Sequence, residues 1–522
     1  MDIPVIDIGT LPADPVAPDS LQGIKRQQTN PKRWNEPVWA DFSLALAAAG
    51  VELIEQKFVT GTFATDAGGT AYGMPHGVVI AKAAAQISTL MKMAQTCKVP
   101  VTVRGGGLTT EGESVAFGGV LLDMTGMSKV LSIDAENLTV RTQAGIFWHS
   151  LAEALRRQNL DYQSAPLNMT SSVGGTLGVG GIDVNSARRG CSADQVIALQ
   201  VVTPTGEIVE CSDSENAALF QRMILGYGQF GVITEATLKI RPYTPIAMHY
   251  FYYTSLATAI EDLQLLDAND AADYSGILTM MDKVVNLLVA FDSDEREAAF
   301  KTDWLHRLRG HGELGITLHM GLYYALRPWR IREALYLRER KNTLFPEFRR
   351  PEHTRNGKMT DRTVVFSRAV WKHWGSRQMV IPDLATSSEK FIDATLKGNA
   401  VCKKYFRYYT LYCVGIKLRP DHAPHYEMSC IPPDAVTHAY GCEFEPMMGD
   451  LNDQDCYSRD TLQSFKNEIY DIGVAVGASY YRFGGMMKGY IRRVFGDEVV
   501  DRHLAMKRQA DPNMILNRDV IF

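Results

Sequence analysis

The sequence lacks three features that would directly assign the chain to a class of protein. Its 8 cysteines among 522 residues form no Cys-x-x-Cys pair, which excludes a zinc module and a disulfide framework. No uninterrupted apolar run approaches the roughly 18 residues of a membrane span. Residues 1–4 lack the positive region and apolar block that begin a secretory signal. The sequence therefore predicts reduced thiols, no membrane association and a cytoplasmic location.

A strong excess of either charge is missing as well. The 54 Lys and Arg residues face 59 Asp and Glu residues, a formal net charge of −5 that gives no reason to expect nucleic acid as a partner. Hydrophobic residues at 46% and charged residues at 22% are ordinary for a folded globular chain. The length corresponds to roughly two to four domains.

Between about residues 39 and 242, short β runs alternate with helical periodicity, which predicts a mixed α+β domain. Before it, residues 1–37 carry six prolines and no clear period, which predicts an N-terminal arm. The predicted strands are 78–80, 99–104, 119–124, 139–142, 196–203 and 232–240, and the predicted helices are 83–97, 148–158 and 216–225.

Beyond Pro242 the composition changes. Segment 301–378 holds 17 basic and 7 acidic residues, and 329–338 is typical of an amphipathic helix with arginines along one side. This segment is either a solvated face or a surface that steers an acidic substrate or docks an acidic carrier protein. The last forty residues return to helix and turn, which predicts a core domain over 38–243, an inserted domain over 244–474 and a C-terminal return over 475–522.

The first of three glycine clusters, at residues 104–112, places Gly105, Gly106 and Gly107 directly after a predicted strand. Consecutive glycines allow successive backbone N–H groups to point into one concavity, which is a nest for a phosphate or another anion. A tight surface turn is the alternative interpretation.

The second cluster, at residues 171–182, has five glycines in eight positions and is too apolar for a flexible linker. It suits a backbone pressed against a flat ligand, with the hydroxyls of Ser172 and Thr176 available to the ligand's oxygens. The third cluster, at 226–231, spells Gly-x-Gly-x-x-Gly, but a helical stretch precedes it and a β run follows it. That order is the reverse of a nicotinamide-binding fingerprint, so a Rossmann site is excluded.

Together the three clusters resemble the FAD-binding domain of the vanillyl-alcohol oxidase and p-cresol methylhydroxylase superfamily, closest to the cytokinin dehydrogenase-like FAD-linked oxidases. The resemblance covers about 40–243 and 475–522. It implies an α+β fold with a two-subdomain FAD-binding domain over 38–243 and an inserted α+β substrate (cap) domain over 244–474. The stretches that carry it are 101–112, 121–127, 173–182, 201–207, 225–234 and 507–516.

The resemblance also implies which residues contact the cofactor. Those that would hold the pyrophosphate are Gly105, Gly106, Gly107 and Thr109. Those that would form the second wall of the FAD site are Ser172, Gly174, Gly175, Thr176, Gly178 and Ile182. Val232 or Ile233 would present backbone to the adenine, and Tyr481 and Asn517 would reach the flavin.

The chain departs from the family at two positions. Where many relatives carry a histidine bonded covalently to the flavin, this chain has Leu108, and residues 169–171 contain no cysteine that could tether it instead. We therefore expect FAD to be held non-covalently. Cytokinin dehydrogenases place an aspartate, which accepts the substrate's N–H proton, six residues before the Val-Gly-Gly-Thr run. Leu167 occupies that position here, which speaks against cytokinin as the substrate.

Residues 480–482, Tyr-Tyr-Arg, resemble the Tyr-Arg pair with which phenol-oxidising members hold a phenolate. Tyr481 and Arg482 are the predicted catalytic residues, because a hydroxyl beside a guanidinium could stabilise an oxyanion or act as a base. The alternative is that Tyr481 only packs on FAD and Arg482 forms a structural ion pair. His422 and His425 flank Pro424 without an obvious third ligand, which favours a surface loop over a metal site.

The leading functional hypothesis is an FAD-dependent oxidoreductase, an oxidase or a dehydrogenase, that passes a hydride from a small organic alcohol, amine or phenol to the flavin. Electrons would then pass to oxygen or another acceptor. A second hypothesis is a flavoenzyme that tailors a natural product by oxidative cyclisation or desaturation, with a carrier-bound substrate as one option. A third is a non-catalytic flavin-binding scaffold.

Overall fold

The structure is a computed structural model of the whole chain. It describes residues 36–69, 71–244, 246–280, 284–310, 313–314, 354–355, 358–359, 380–406, 409–418, 428, 431–446, 459–481, 488–518 and 520–521. The expectations for Arg482, for His422 and His425, and for the arginine-rich helix at 329–338 lie outside these residues.

A three-stranded parallel sheet forms the first layer, in the order β1-β3-β2. Helix α3 packs beside it through Ile87, Leu90, Met91 and Ala94, which recur at the i, i+3, i+4, i+7 spacing of a helix face and are fully buried. The strands are β1 (Gly77–Ile80), β2 (Val101–Arg104) and β3 (Val120–Asp123), and the helices are α1 (Glu36–Ala48), α2 (Lys57–Thr60) and α3 (Ala84–Cys97).

A six-stranded antiparallel sheet follows, in which the long strand β9 pairs with β5, β6 and β7. Its strands are β4 (Val130–Asp134), β5 (Thr139–Gln143), β6 (Leu160–Tyr162), β7 (Val196–Val202), β8 (Ile208–Ser212) and β9 (Val232–Pro242). The helices in this part of the chain are α4 (Trp148–Arg156), α5 (Val173–Val179), α6 (Ser186–Arg189) and α7 (Ala217–Met223). Each strand and helix predicted between 78 and 240 is present, with its ends within about two residues of the prediction.

A seven-stranded antiparallel sheet forms the third layer, in the order β13-β10-β12-β11-β17-β18-β16. Its strands are β10 (Ala247–Tyr253), β11 (Tyr274–Met280), β12 (Val284–Phe291), β13 (Glu313–Leu314), β16 (Asp383–Ser387), β17 (Tyr409–Lys417) and β18 (His438–Pro446), while β14 (Thr354–Arg355) and β15 (Lys358–Met359) pair separately. The helices here are α8 (Leu256–Ala268), α9 (Asp294–Asp303) and α10 (Ser388–Tyr405). A Cβ at Gly398 of α10 would overlap the ring of Phe444 in β18, so the helix lies close against one face of the sheet.

The C-terminal segment returns to the first layer. Val101 of β2 donates its backbone N–H to Ile515 and accepts one from Asn517, both at 2.9 Å. Three helices precede this contact, namely α11 (Arg459–Val476), α12 (Lys488–Phe495) and α13 (Asp497–Ala510). Helix α11 runs through the domain boundary predicted at 474/475, and α1 begins one residue before the predicted end of the N-terminal arm.

Among the described residues, no helix is both long enough and apolar enough to cross a bilayer.

Candidate cofactor site

A cavity of about 270 Å³ lies where the first two layers meet the edge of the seven-stranded sheet. All the residues predicted to bind the cofactor line it: Gly105, Gly106, Gly107, Leu108, Thr109, Ser172, Gly174, Gly175, Thr176, Gly178, Ile182, Val232, Ile233, Tyr481 and Asn517. That these residues bind FAD stays a prediction.

The first glycine loop leaves β2 and lies directly against the second glycine cluster. A Cβ at Gly105 would overlap the hydroxyl of Ser172, and a Cβ at Gly106 would lie 2.9 Å from the carbonyl oxygen of Thr170. Gly107 has a φ of +65°, a left-handed conformation that side chains rarely adopt. Glycine is therefore required for the two loops to approach each other, and both expose backbone to the cavity.

A buried carboxylate holds the first glycine loop from behind. Asp66 accepts hydrogen bonds from the Thr109 hydroxyl and from the Gly112 backbone N–H, both at 2.8 Å. Burial raises the pKa of Asp66 to about 6, and the two hydrogen bonds oppose that rise. These two hydrogen bonds tie the first glycine loop to Asp66.

Arg104 supports the same loop from its other end. Its guanidinium donates to the carbonyl oxygens of Thr65, at 2.9 Å, and Ser114, at 3.3 Å. The positive charge lies behind the glycine loop, where it favours an anion such as a pyrophosphate.

The second wall of the cavity is α5 with the residues just before it. Ser172 caps the helix by accepting the Gly175 N–H at 3.4 Å, which leaves its own hydroxyl proton for a ligand oxygen. The Thr176 hydroxyl has two partners within the protein. It accepts a hydrogen bond from the Trp148 indole N–H at 2.9 Å and donates one to the Ser171 hydroxyl at 3.2 Å. The Thr176 hydroxyl therefore has both a donor and an acceptor within the protein, whereas contact of the Ser172 hydroxyl with a ligand stays a prediction.

Asn517 joins the third glycine cluster to β2. Its side-chain oxygen accepts the Val103 N–H and its amide donates to the Gly228 carbonyl, both at 2.8 Å. Helix α7 precedes this cluster and β9 follows it, the inverted order that excluded a Rossmann site. Asn517 was predicted to contact the flavin. Both polar atoms of its side chain already form hydrogen bonds with backbone groups of the protein.

Tyr481 lies between the glycine loops and the seven-stranded sheet. Its hydroxyl accepts the Gly181 N–H at 3.2 Å, and its own backbone N–H donates to Asp383 at 2.5 Å. Its neighbour Tyr480 faces away, since it is fully buried and donates to the Tyr470 carbonyl at 2.9 Å. Of the predicted catalytic pair, Tyr481 is in the cavity, and Arg482 lies outside the described residues.

The sequence analysis missed several residues that line the cavity: Glu113, Ser114, Asn168, Ser171, Tyr227, Gly228, Gly231 and Glu443. Glu113 directly follows the first glycine cluster, so its place in the sequence could have indicated that it lines the cavity. Its pKa is raised to about 8 by burial and by the nearby carboxylates of Asp66 and Glu111. Glu443 is far from every motif, and no local pattern points to it. Leu167 also lines the cavity, so the position without the aspartate faces the ligand space.

The described part of the chain offers no candidate metal site. Those residues contain no group of three or more His, Cys, Asp or Glu side chains placed to hold a metal ion.

Comparisons with known proteins agree with this geometry. Residues 75–212 match a family model described as FAD binding domain. A D-lactate dehydrogenase of Anaerostipes hadrus is 34% identical over 174 residues, which are 32% of this chain and 37% of that protein. Cytokinin dehydrogenase 3 of Oryza sativa subsp. japonica is 30% identical over 220 residues, 40% of this chain and 41% of that protein.

A third relative is an uncharacterized oxidoreductase, ORF5 in the fasciation locus of Rhodococcoides fascians. It is 32% identical over 214 residues, 40% of this chain and 48% of that protein. The chain thus spans less than half the length of each of these three relatives. The family match and the three likenesses confirm the resemblance carried by the glycine clusters: residues 75–212 match an FAD-binding domain, and this part of the chain is similar to FAD-linked oxidoreductases.

Proposed function

We propose that the protein is an FAD-dependent oxidoreductase, an oxidase or a dehydrogenase, that takes a hydride from a small organic alcohol, amine or phenol. The observation that carries this proposal is the cavity itself. Three glycine clusters and the C-terminal segment, far apart in sequence, line one space together with a tyrosine hydroxyl. The relatives named as dehydrogenases support the same reaction type.

The cavity suits FAD in its shape and in its donors. At Gly105 and Gly106 a Cβ would fill the space between the loops, so backbone N–H groups can approach a pyrophosphate closely. The Ser172 hydroxyl adds a donor, and Val232 and Ile233 continue the wall along β9. When bound, FAD supplies the hydride-accepting chemistry, and the chain's part is to bind, orient and exclude water.

We infer that residues 244–474 act as the cap and that substrate binds between this region and the two-subdomain FAD-binding region. Leu167 of the FAD-binding region, Glu443 of β18 and Tyr481 all face the same cavity, which supports that placement. The Tyr481 hydroxyl, which accepts the Gly181 N–H, lies beside this space and is the group that we propose to contact the substrate.

The identity of Leu108 supports non-covalent FAD, since leucine cannot form the histidyl bond. The test is the visible spectrum of the purified protein, repeated on the supernatant after acid precipitation. We expect a two-band flavin spectrum that moves entirely into the supernatant. Colour left in the pellet contradicts the non-covalent assignment, and a colourless protein that takes up no added FAD contradicts the proposed function. The cytoplasmic location and the acidic carrier stay predictions.

A further inference from the structure

The C-terminal segment 511–518 lies between two of the elements that line the cavity. On one side it pairs with β2, where Val101 donates its backbone N–H to the Ile515 carbonyl and accepts one from Asn517. On the other side the Asn517 amide donates to the Gly228 carbonyl of the third glycine cluster at 2.8 Å. Since Asn517 itself lines the cavity, the segment completes the wall between the first glycine loop and the third cluster.

Lys507 of α13 connects this segment to the third glycine cluster. Its ammonium group donates to the Gln229 carbonyl of the cluster at 2.6 Å and to the Leu516 carbonyl of the segment at 2.8 Å. It also pairs with Asp511 at 2.9 Å, and neither side chain of the pair is exposed. An ammonium group has three N–H donors, and these three acceptors match that number. We call the contacts of Lys507 with these three residues the C-terminal joint.

Asp511 shapes the segment from the other side of the ion pair. Its carboxylate accepts the backbone N–H groups of Ile515, at 3.1 Å, and of Leu516, at 2.9 Å. A buried ion pair contributes little net stability compared with apolar side chains of the same volume. What this pair contributes is position, because the carboxylate fixes the turn of the segment while the ammonium group fixes the turn against Gln229.

We propose that Lys507 is a positioning residue for the cofactor: it holds segment 511–518 against the third glycine cluster, and FAD dissociates only when the C-terminal joint opens. This inference rests on the proposed function, since FAD has to occupy the cavity. If opening of the joint releases FAD, bound FAD must disfavour opening by the same free energy. The backbone N–H groups of Ile515, Leu516 and Asn517 report opening, because each is hydrogen-bonded in the closed segment.

The first measurement is hydrogen exchange of the full wild-type chain with and without FAD. We expect peptides that cover 513–518 to exchange at least tenfold more slowly when FAD is bound. Strand β4, at the edge of the six-stranded sheet and away from the cavity lining, is the internal reference and should change little. The proposal is overturned if the segment exchanges equally fast in both states, or if FAD slows it no more than it slows β4.

The second measurement is the rate at which FAD leaves, followed as the rise of flavin fluorescence after dilution. The variant is Lys507→Met/Asp511→Asn, which removes both charges together and so leaves neither uncompensated in the interior. The amide oxygen introduced at 511 can still accept one of the backbone N–H groups of the turn, but the donor to Gln229 is lost. We expect FAD to leave at least tenfold faster than from the wild type. If the double variant does not fold, the hydrogen exchange of the wild type decides.

Arg296→Met is the matched control. Arg296 of α9 pairs with the buried Asp273 at 2.9 Å, and neither residue lines the cavity. This variant loses an ionic contact to a buried carboxylate far from the joint, so FAD should leave at the wild-type rate whatever stability to urea is lost. The proposal is overturned if the double variant releases FAD as slowly as the wild type, or if the control accelerates release equally. Failure of the proposed function looks different, because the wild type then takes up no FAD at all, and both proposals end.

Discussion

The two sides of the cavity are built by different means. The glycine wall, formed by the clusters at 105–109, 172–178 and 227–233 with Asn517, presents mostly backbone and small residues. The sheet wall, formed by Glu443 and Tyr481, presents large polar side chains placed by strand register. The first kind of wall recognises a ligand common to a whole superfamily, whereas the second can change one side chain at a time. We infer that cofactor identity is set by the glycine wall and substrate choice by the sheet wall.

The largest expected effect concerns the buried ion pair that joins the two sides. Lys466 of α11 contacts Glu111 beside the first glycine loop, and neither side chain is exposed. Replacing Lys466 with methionine leaves a buried, uncompensated carboxylate, and breaking such a pair costs about 3–5 kcal/mol of unfolding free energy. Urea denaturation monitored by tryptophan fluorescence measures the loss.

Lys404→Met provides the control for this prediction. Lys404 pairs with Glu468 between α10 and α11 at 2.5 Å, but its side chain is 60% exposed. An exposed pair contributes roughly 0–1 kcal/mol. Equal losses for the two variants would show that the Glu111 contact has no special role in joining the walls.

The next effect is a pH dependence of stability that originates in two buried carboxyl groups beside the glycine wall, Glu113 and Asp66. The pKa of Glu113 is raised from 4.5 to about 8, and that of Asp66 from 3.8 to about 6. At a pH between the pKa of the unfolded chain and that of the folded chain, the unfolded chain has lost the proton and the folded chain retains it. The free energy of unfolding therefore falls as the pH rises through this range. From pH 6 to 8 this slope belongs to Glu113, and at about 1.4 kcal/mol per pKa unit it amounts to a few kcal/mol.

Urea denaturation of the wild type and Glu113→Gln at pH 6 and pH 8 tests this assignment. The variant should lose the slope and exceed the wild type in stability at pH 8, because an amide has no proton to release. The groups that face Glu113 are Asp66 and Glu111, with Lys466 and Arg104 paired or packed behind them. An unchanged slope in the variant assigns the effect to one of those neighbours instead.

A smaller effect tests the shape of the glycine wall separately from the charges beside it. In Gly105→Ala the new methyl group overlaps the Ser172 hydroxyl and forces the two loops apart. We expect FAD to bind about 10- to 100-fold more weakly, or about 1.4–2.8 kcal/mol, by fluorescence titration of the apoprotein. Gly441→Ala in β18 is the control, since a Cβ there meets nothing within 4 Å. Comparable FAD affinity in the two variants would mean that the close approach of the loops does not shape the cofactor site.

The contrast between the walls also explains what the sequence predicts. Gly105 and Ser172 lie in short glycine motifs whose residue types follow from the local backbone, and Thr109 was expected from the family resemblance, so all three were predicted without a structure and line the cavity. Glu443 was missed because its place depends on the pairing of β16, β17 and β18, which are separated by long stretches of chain. The sequence analysis did not predict the seven-stranded sheet for the same reason, because strand order depends on contacts between residues that are far apart in the sequence. Tyr481 was found only through the family resemblance of its neighbours.

The smallest expected effect concerns Tyr481, which belongs to both sides of the cavity. Its hydroxyl accepts the Gly181 N–H of the second glycine cluster, while its backbone N–H donates to Asp383 of β16. Tyr481→Phe removes the first contact and keeps the second, and one lost hydrogen bond corresponds to about 0.5–1.5 kcal/mol. If the two walls divide their work as proposed, FAD affinity should change by less than about threefold. Flavin bleaching by an alcohol or amine substrate, followed in a stopped-flow instrument, should slow by a larger factor. Equal losses in FAD binding and in bleaching would place Tyr481 in the cofactor site alone, and the division between the walls would not hold.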